Sequence, residues 1–206
     1  LIIMSTLRAT LLSLSILSGC GAIGAVSDAS APLDAYTLSP YAPQQAAATG
    51  RRHLVVELPT SGGALATDRI LIKPVSYQAQ YLPDARWSEP TPALLQSLFV
   101  ASFQNAGGFR LVGRTGAGLM PDYTLMTEIQ SFQAEPIGPE AEPLAIRIVL
   151  MMTIIRESDR QIIGARRFAG SVSVASDQTE VVVAGFDTAL RTVLQEAVQW
   201  TASVAR

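Results

Sequence analysis

Between Leu144 and Ile154 every even-numbered residue is apolar: Leu144, Ile146, Ile148, Leu150, Met152 and Ile154. The odd positions hold Arg147 and Thr153 beside Val149 and Met151. A period of two belongs to a strand with one buried face; the apolar residues of a helix recur every three to four. Arg147 also cuts the run short of the ~18 apolar residues that a membrane helix needs. A strand over 144–156 must find partners for its backbone N–H and C=O groups, and its neighbours in sequence are strand-like. Asp122 to Ala134 sets Tyr123, Leu125 and Ile129 on one face. Arg160 to Val174 alternates less cleanly, with Ile162, Phe168, Val172 and Val174 on one side. Glu157-Ser158-Asp159-Arg160 reads as the hairpin turn between the last two.

Shorter strands are expected at Tyr36–Leu38, His53–Leu58, Arg69–Lys73 and Phe109–Val112. Ser76–Leu82 pairs with Arg69–Lys73, and Asp84 to Pro90 forms a connection. The connection leads into a helix over Thr91–Ala106, with Thr91 as cap and Pro92 at the first helical position, where a missing N–H costs nothing. Leu94, Leu95, Leu98, Phe99, Phe103 and Ala106 give that helix an apolar face, and Gly107-Gly108 ends it. A second, longer helix spans Gln178–Ala205, with Asp177 and Glu180 spaced as a capping box. Strands, helix, strands, helix is the order of an α+β domain: an antiparallel sheet with two helices packed on one face.

The N-terminus reads differently. Met4 has the look of a natural start. Arg8 is a one-charge n-region, and Ala9–Leu17 is an apolar stretch too short to span a bilayer. It ends in Leu17-Ser18-Gly19-Cys20, which resembles the bacterial lipobox. There cysteine becomes the first mature residue and carries a diacylglyceryl group on sulfur and a further acyl chain, such as palmitate, on its amine. Several chains anchor stably where one does not. The expected organisation is a lipoprotein signal peptide over 1–19, a lipidated N-terminus and flexible Gly/Ala/Ser-rich tether over 20–34, and the domain over 35–206. Gly21, rather than Asp, after the cysteine points to the outer membrane, facing the periplasm of a Gram-negative envelope.

Composition removes most chemistry. Cys20 is the single cysteine and His53 the single histidine. No intrachain disulfide can form, a zinc site built from Cys and His has too few ligands, and a histidine-based triad could use only His53. With a formal net charge of -2 and scattered arginines, no basic stripe for nucleic acid exists. Gly113, Gly116 and Gly118 lack the Lys-Ser/Thr of a phosphate loop. Glu140 and Glu142 sit in a Pro-rich loop as solvated charges, and His53 reads as a surface residue. No catalytic residue, metal ligand or cofactor is expected beyond the covalent lipid on Cys20. The segment Tyr77–Pro90 stands out: Tyr77, Tyr81, Arg86 and Trp87 are of the residue types that dominate binding hot spots. They are candidate partner-binding residues on a hairpin and connection at the domain edge. Core packing of Trp87 beneath the first helix is the alternative.

An ordered set of motifs then carries a resemblance. After the lipobox come Tyr36-Thr37-Leu38, Arg69-Ile70-Leu71-Ile72-Lys73-Pro74-Val75, Tyr81-Leu82 and Arg86-Trp87-Ser88-Glu89-Pro90. Leu94-Leu95, Gly108-Phe109-Arg110-Leu111-Val112, Asp122-Tyr123-Thr124-Leu125 and a terminal helix ending near Trp200 complete it. The chain resembles the ABC-type transport auxiliary lipoprotein family, the PqiC-like proteins. The resemblance implies a non-catalytic periplasmic lipoprotein working with an MCE-domain protein, an ABC permease and an ATPase. Such a system moves phospholipid or other hydrophobic molecules between the two membranes. A homo-oligomer is compatible with this role. Two other readings share the residues: an outer-membrane lipoprotein that assembles or activates a secretion or cell-wall machine, and an envelope hydrolase with an unconventional site.

Overall fold

The computed structural model describes residues 32–116, 118, 120–138 and 143–205. The signal peptide, Cys20, Glu140 and Glu142 lie outside the described residues. In chain order the strands are β1 (Asp34–Tyr36), β2 (His53–Val56), β3 (Thr60–Ser61), β4 (Arg69–Ile72), β5 (Gln80–Trp87), β6 (Leu111–Arg114), β7 (Tyr123–Pro136), β8 (Leu144–Arg156) and β9 (Gln161–Val174). Helix α1 (Thr91–Ala106) lies between β5 and β6, and α2 (Thr179–Val204) follows β9.

All nine strands form one sheet, with β7 at its centre. On one flank β7 pairs antiparallel with β8, and β8 with β9, as the alternation predicts. The other flank corrects the expected antiparallel sheet: the sheet is mixed. There β7 takes three parallel partners in succession. Leu54 of β2 lies opposite Tyr123, Thr60 of β3 opposite Glu128, and Ile72 of β4 opposite Ala134. In effect residues 53–72 are one interrupted strand alongside β7, broken at Pro59 and by the 3-10 turn Gly63–Leu65. Pro59 has no N–H for the ladder, so pairing must lapse there. By periodicity alone those breaks read as the end of a strand and a turn. Periodicity reports which face of a strand is buried; it says nothing of the direction of its partner. Strand β6 pairs parallel with β2, β5 antiparallel with β4, and β1 parallel with β5.

A bulge between Ile129 and Ser131 flips the inward positions of β7. Tyr123, Leu125 and Ile129 point into the core before it; Phe132 and Ala134 do so after it. One inserted residue moves an alternating pattern onto the other parity. The core gains a continuous face from Tyr123 to Ala134, and the rings of Phe132, Trp87 and Phe186 meet there. Their centroids lie 4.9–5.8 Å apart.

Both helices contact the sheet and each other, α1 against β2 and β6, α2 against β8 and β9. The buried Gln96 of α1 donates from Nε2 to the Val56 carbonyl at 3.0 Å. Helix α2 lies close over β9 because glycines leave room. A Cβ on Gly170 would stand 2.7 Å from the Ala189 carbonyl oxygen, and one on Gly185 2.6 Å from Val174 Cγ1. The helix boundaries follow the sequence expectation, but the caps do not. Thr91 spends its hydroxyl on the Thr67 carbonyl at 3.1 Å, and Pro90 takes the N-cap position. Gln178 is the N-cap of α2, without a side-chain bond. Gly107 ends α1 at φ 71°, its backbone held against Ala47.

Candidate partner-binding site

The segment from Tyr77 to Trp87 does not form a single surface. Tyr77 sits in the turn between β4 and β5, where the Gln78 N–H donates to the Val75 carbonyl at 3.0 Å. Its side chain is 91% exposed. Tyr81 is half-buried: its hydroxyl donates to the Ala64 carbonyl at 3.2 Å, and the Arg69 guanidinium lies 5.7 Å from its ring centroid. Arg86 is partly exposed and pairs with Asp68 at 3.3 Å. Trp87 is 0% exposed. Its ring stands edge-on to Phe186 of α2 and to Phe132 of β7.

Strand β5 also corrects two expectations about this segment. It continues through Asp84–Trp87, where the residues predict a connection. It lies between β1 and β4, so it is not an edge strand. Leu71 opposes Tyr81 while Arg69 opposes Arg86, so Leu82–Ala85 bulges out around Pro83. That bulge removes the alternation by which the strand would have been recognised. The structure therefore gives Tyr81 and Arg86 internal partners, puts Trp87 in the core and leaves Tyr77 free to meet another molecule.

Two surface features had no warning in single residues. On the sheet face away from the helices, Glu57, Leu58, Thr60, Met126, Met151 and Thr153 line an open groove of about 210 Å³. Its signal was the mixed odd face of β8, where Met151 and Thr153 alternate with the apolar even face. The groove falls below the ~300–1,000 Å³ of sites that enclose a small molecule. The second is apolar exposure at adjacent hairpin tips: Val75 and Tyr77 after β4, and Ile137 after β7.

The opposite end of β7 is charged. Asp122 accepts from the His53 backbone N–H at 2.8 Å and from Arg52 at 2.9 Å. These bonds, the backbone one foremost, hold its carboxyl below the usual carboxylate range. Glu157 accepts from the Thr124 hydroxyl and from Arg160, which lowers its pKa likewise. Asp159 is lowered chiefly by its hydrogen bond from Arg156. Each carboxylate therefore has a donor that fixes the turn or strand end it sits on. Among the described residues no group of three His, Cys, Asp or Glu could hold a metal. No helix among them is long and apolar enough to cross a membrane.

Residues 36–198 match the family of ABC-type transport auxiliary lipoprotein components. The chain belongs to that family. It is an auxiliary lipoprotein component of an ABC-type transport system, with the lipid-held place in the cell envelope and the non-catalytic role that this implies. The fold has solved counterparts. A Xanthomonas campestris protein of the DUF330 family shares 24% identity at a TM-score of 0.75, over 85% of this chain and 97% of its own. An uncharacterized protein of known structure shares 21% at 0.54, over 83% and 98%. No curated protein matches the sequence.

Proposed function

We propose that this auxiliary lipoprotein is anchored by lipid on Cys20 in the outer membrane, facing the periplasm. There it serves an ABC system whose MCE-domain protein carries phospholipid or another hydrophobic molecule between the two membranes. The observation that carries the reading is the family match over 36–198, with the lipobox ending at Cys20 upstream of it. ATP hydrolysis belongs to the partner ATPase, and this chain supplies a fixed docking point at the membrane. Docking uses the flank of the β4–β5 hairpin: Arg86 offers guanidinium donors, and Tyr81 the exposed rim of its ring.

The test is affinity purification of the native lipoprotein from detergent-solubilised envelopes. An MCE-domain protein and its permease are expected in the eluate, and mass spectrometry should find acyl groups on Cys20. Recovery of secretion or cell-wall machinery in their place would favour the other envelope reading. An unmodified Cys20 thiol would overturn the anchor.

A further inference from the structure

Among the described residues, large apolar side chains stand exposed at both ends of the sheet, and the two sets differ in arrangement. At the end where β7 begins they are Leu111, Met120 and Ile162. Leu111 is on β6 and Ile162 on β9, with β2, β7 and β8 between them in the sheet. At about 4.8 Å per strand they are roughly 20 Å apart. The ion pairs Arg52–Asp122, Arg156–Asp159 and Arg160–Glu157 crowd the same end. At the other end Val75, Tyr77 and Ile137 stand on adjacent tips. Strands β4 and β7 run parallel into them, paired at Ile72–Ala134, and the Lys73 N–H donates to the Ala134 carbonyl at 2.8 Å. Lys73, the chain's single lysine, stands at the base of this apolar pair of tips.

The chain enters the sheet from that same end. Strand β1 runs parallel to β5, whose start, Gln80, follows the Tyr77 turn, and Asp34 lies opposite Ala85. Gln80 opposes Ile72 and Arg86 opposes Arg69, so with the bulge Asp34 lies only about 10 Å from the Tyr77 end of β5 and, with Ile72 opposite Ala134, roughly 25 Å from the start of β7, at ~3.3 Å per residue. The Tyr77 end is therefore the nearer of the two ends to the point where the chain enters the sheet.

We propose that the tips carrying Val75, Tyr77 and Ile137 rest in the headgroup region of the bilayer that holds the lipid anchor. The contact fixes the domain's orientation and presents the far end to the periplasm. Tyrosine suits that depth, with its ring in the apolar boundary and its hydroxyl in water. Lys73 sits where its ammonium meets lipid phosphate while its stem lies along apolar surface. Three side chains do not bind a membrane alone; with an anchor already in place they need only choose which way the domain faces. The inference rests on the proposed lipidation of Cys20.

The test uses the full lipidated chain in vesicles of phosphatidylethanolamine and phosphatidylglycerol. A lipid-blocked Cys20 takes no thiol label, so Tyr77→Cys and Met120→Cys each accept one environment-sensitive dye. The two positions are equally open in solution, 91% and 90% exposed, at opposite ends. The expected result is a blue-shifted dye at 77, quenched by brominated lipid at least about twofold more than at 120. Protein that floats with the vesicles while both dyes stay aqueous overturns the tip contact and leaves the anchor standing. Stronger quenching at 120 reverses the orientation and overturns it too. A dye at 77 that shifts only when the MCE-domain protein is added makes the tips a protein interface and overturns the membrane contact. Failure to float, with label taken by the wild-type Cys20, overturns the anchor and this inference with it.

Discussion

The two ends of the sheet are built from opposite materials. Where β7 begins, Arg52, Asp122, Arg156, Glu157, Asp159 and Arg160 tie strand ends and a hairpin turn together by charge. Where β7 ends, the tips carry Val75, Tyr77 and Ile137 into solvent, with Arg147–Glu135 as an ion pair nearby. Between them runs one contiguous hydrophobic core. The contrast separates two kinds of surface: side chains bonded to partners within the chain, and large apolar side chains that stand in solvent. Tyr81 and Tyr77 make the point within four residues. The first holds the Ala64 carbonyl; the second holds nothing that would explain its exposure.

The largest expected effect comes from a residue that belongs to neither end. Trp87→Ala removes the ring between Phe132 and Phe186, and truncating a buried aromatic costs about 3–5 kcal/mol. Thermal or urea unfolding should show the whole domain lost in one transition, since β5, β7 and α2 all pack on that ring. If the two ends melted separately, the core would not be the single unit that its contacts describe. A smaller loss, about 1–3 kcal/mol, is expected from Gly185→Val. The new side chain enters the space of Val174 and Ile146, and overpacking on that scale costs this much. Gly185→Ala should fall between this variant and wild type in the same unfolding measurement.

A third substitution separates surface from core. Arg86→Ala breaks an ion pair with Asp68 whose side chains are 40% and 34% exposed, and pairs so open add little to stability. Its melting temperature should stay near wild type. Affinity for the MCE-domain partner, measured by calorimetry, should fall by about 1 kcal/mol or more if the hairpin flank is the docking surface. Wild-type affinity in this variant and in Tyr81→Ala would move the interface elsewhere and leave the flank purely structural.

Much of this could be read from the residues, and the failures have physical causes. Strand β8 was legible over its full length because both its neighbours are antiparallel and its inner face never changes parity. Helix α1 was legible from Pro92 and Gly107 because both act locally. Strand β5 was not: the bulge around Pro83 hides its period, and Asp84 and Arg86 look like loop residues. The parallel flank was not legible either. A proline and two glycines break residues 53–72 into pieces, and only the register against β7 shows them to be one line. In the candidate site, residue type identified Trp87 and Tyr77 equally. Their separation into core and surface depends on which residues the fold places around each, and α2, nearly a hundred positions away, supplies Phe186.

The charged end gives the smallest and most specific expectation. Asp122 has a carboxyl pKa lowered in the folded state, by the His53 N–H first and by Arg52. A lowered folded pKa contributes stability that is fully present above the unfolded value, about 4 for an aspartate, and is lost as pH falls through the folded one. Asp122→Asn keeps an oxygen to accept the His53 N–H and removes the charge. At neutral pH the variant should melt slightly below wild type, by less than either core substitution. As pH falls below the ordinary carboxylate range, wild type should lose this advantage and the two melting curves converge. Tyr77→Ala, at the other end, carries no titrating partner in that range, so its small offset from wild type should stay constant over the same acid series. Convergence for Asp122→Asn with a constant offset for Tyr77→Ala would confirm that the Asp122 charge secures its end of the sheet, whereas the Tyr77 side chain acts without charge. Parallel curves for both would show that the Asp122 site acts through its hydrogen-bond geometry alone.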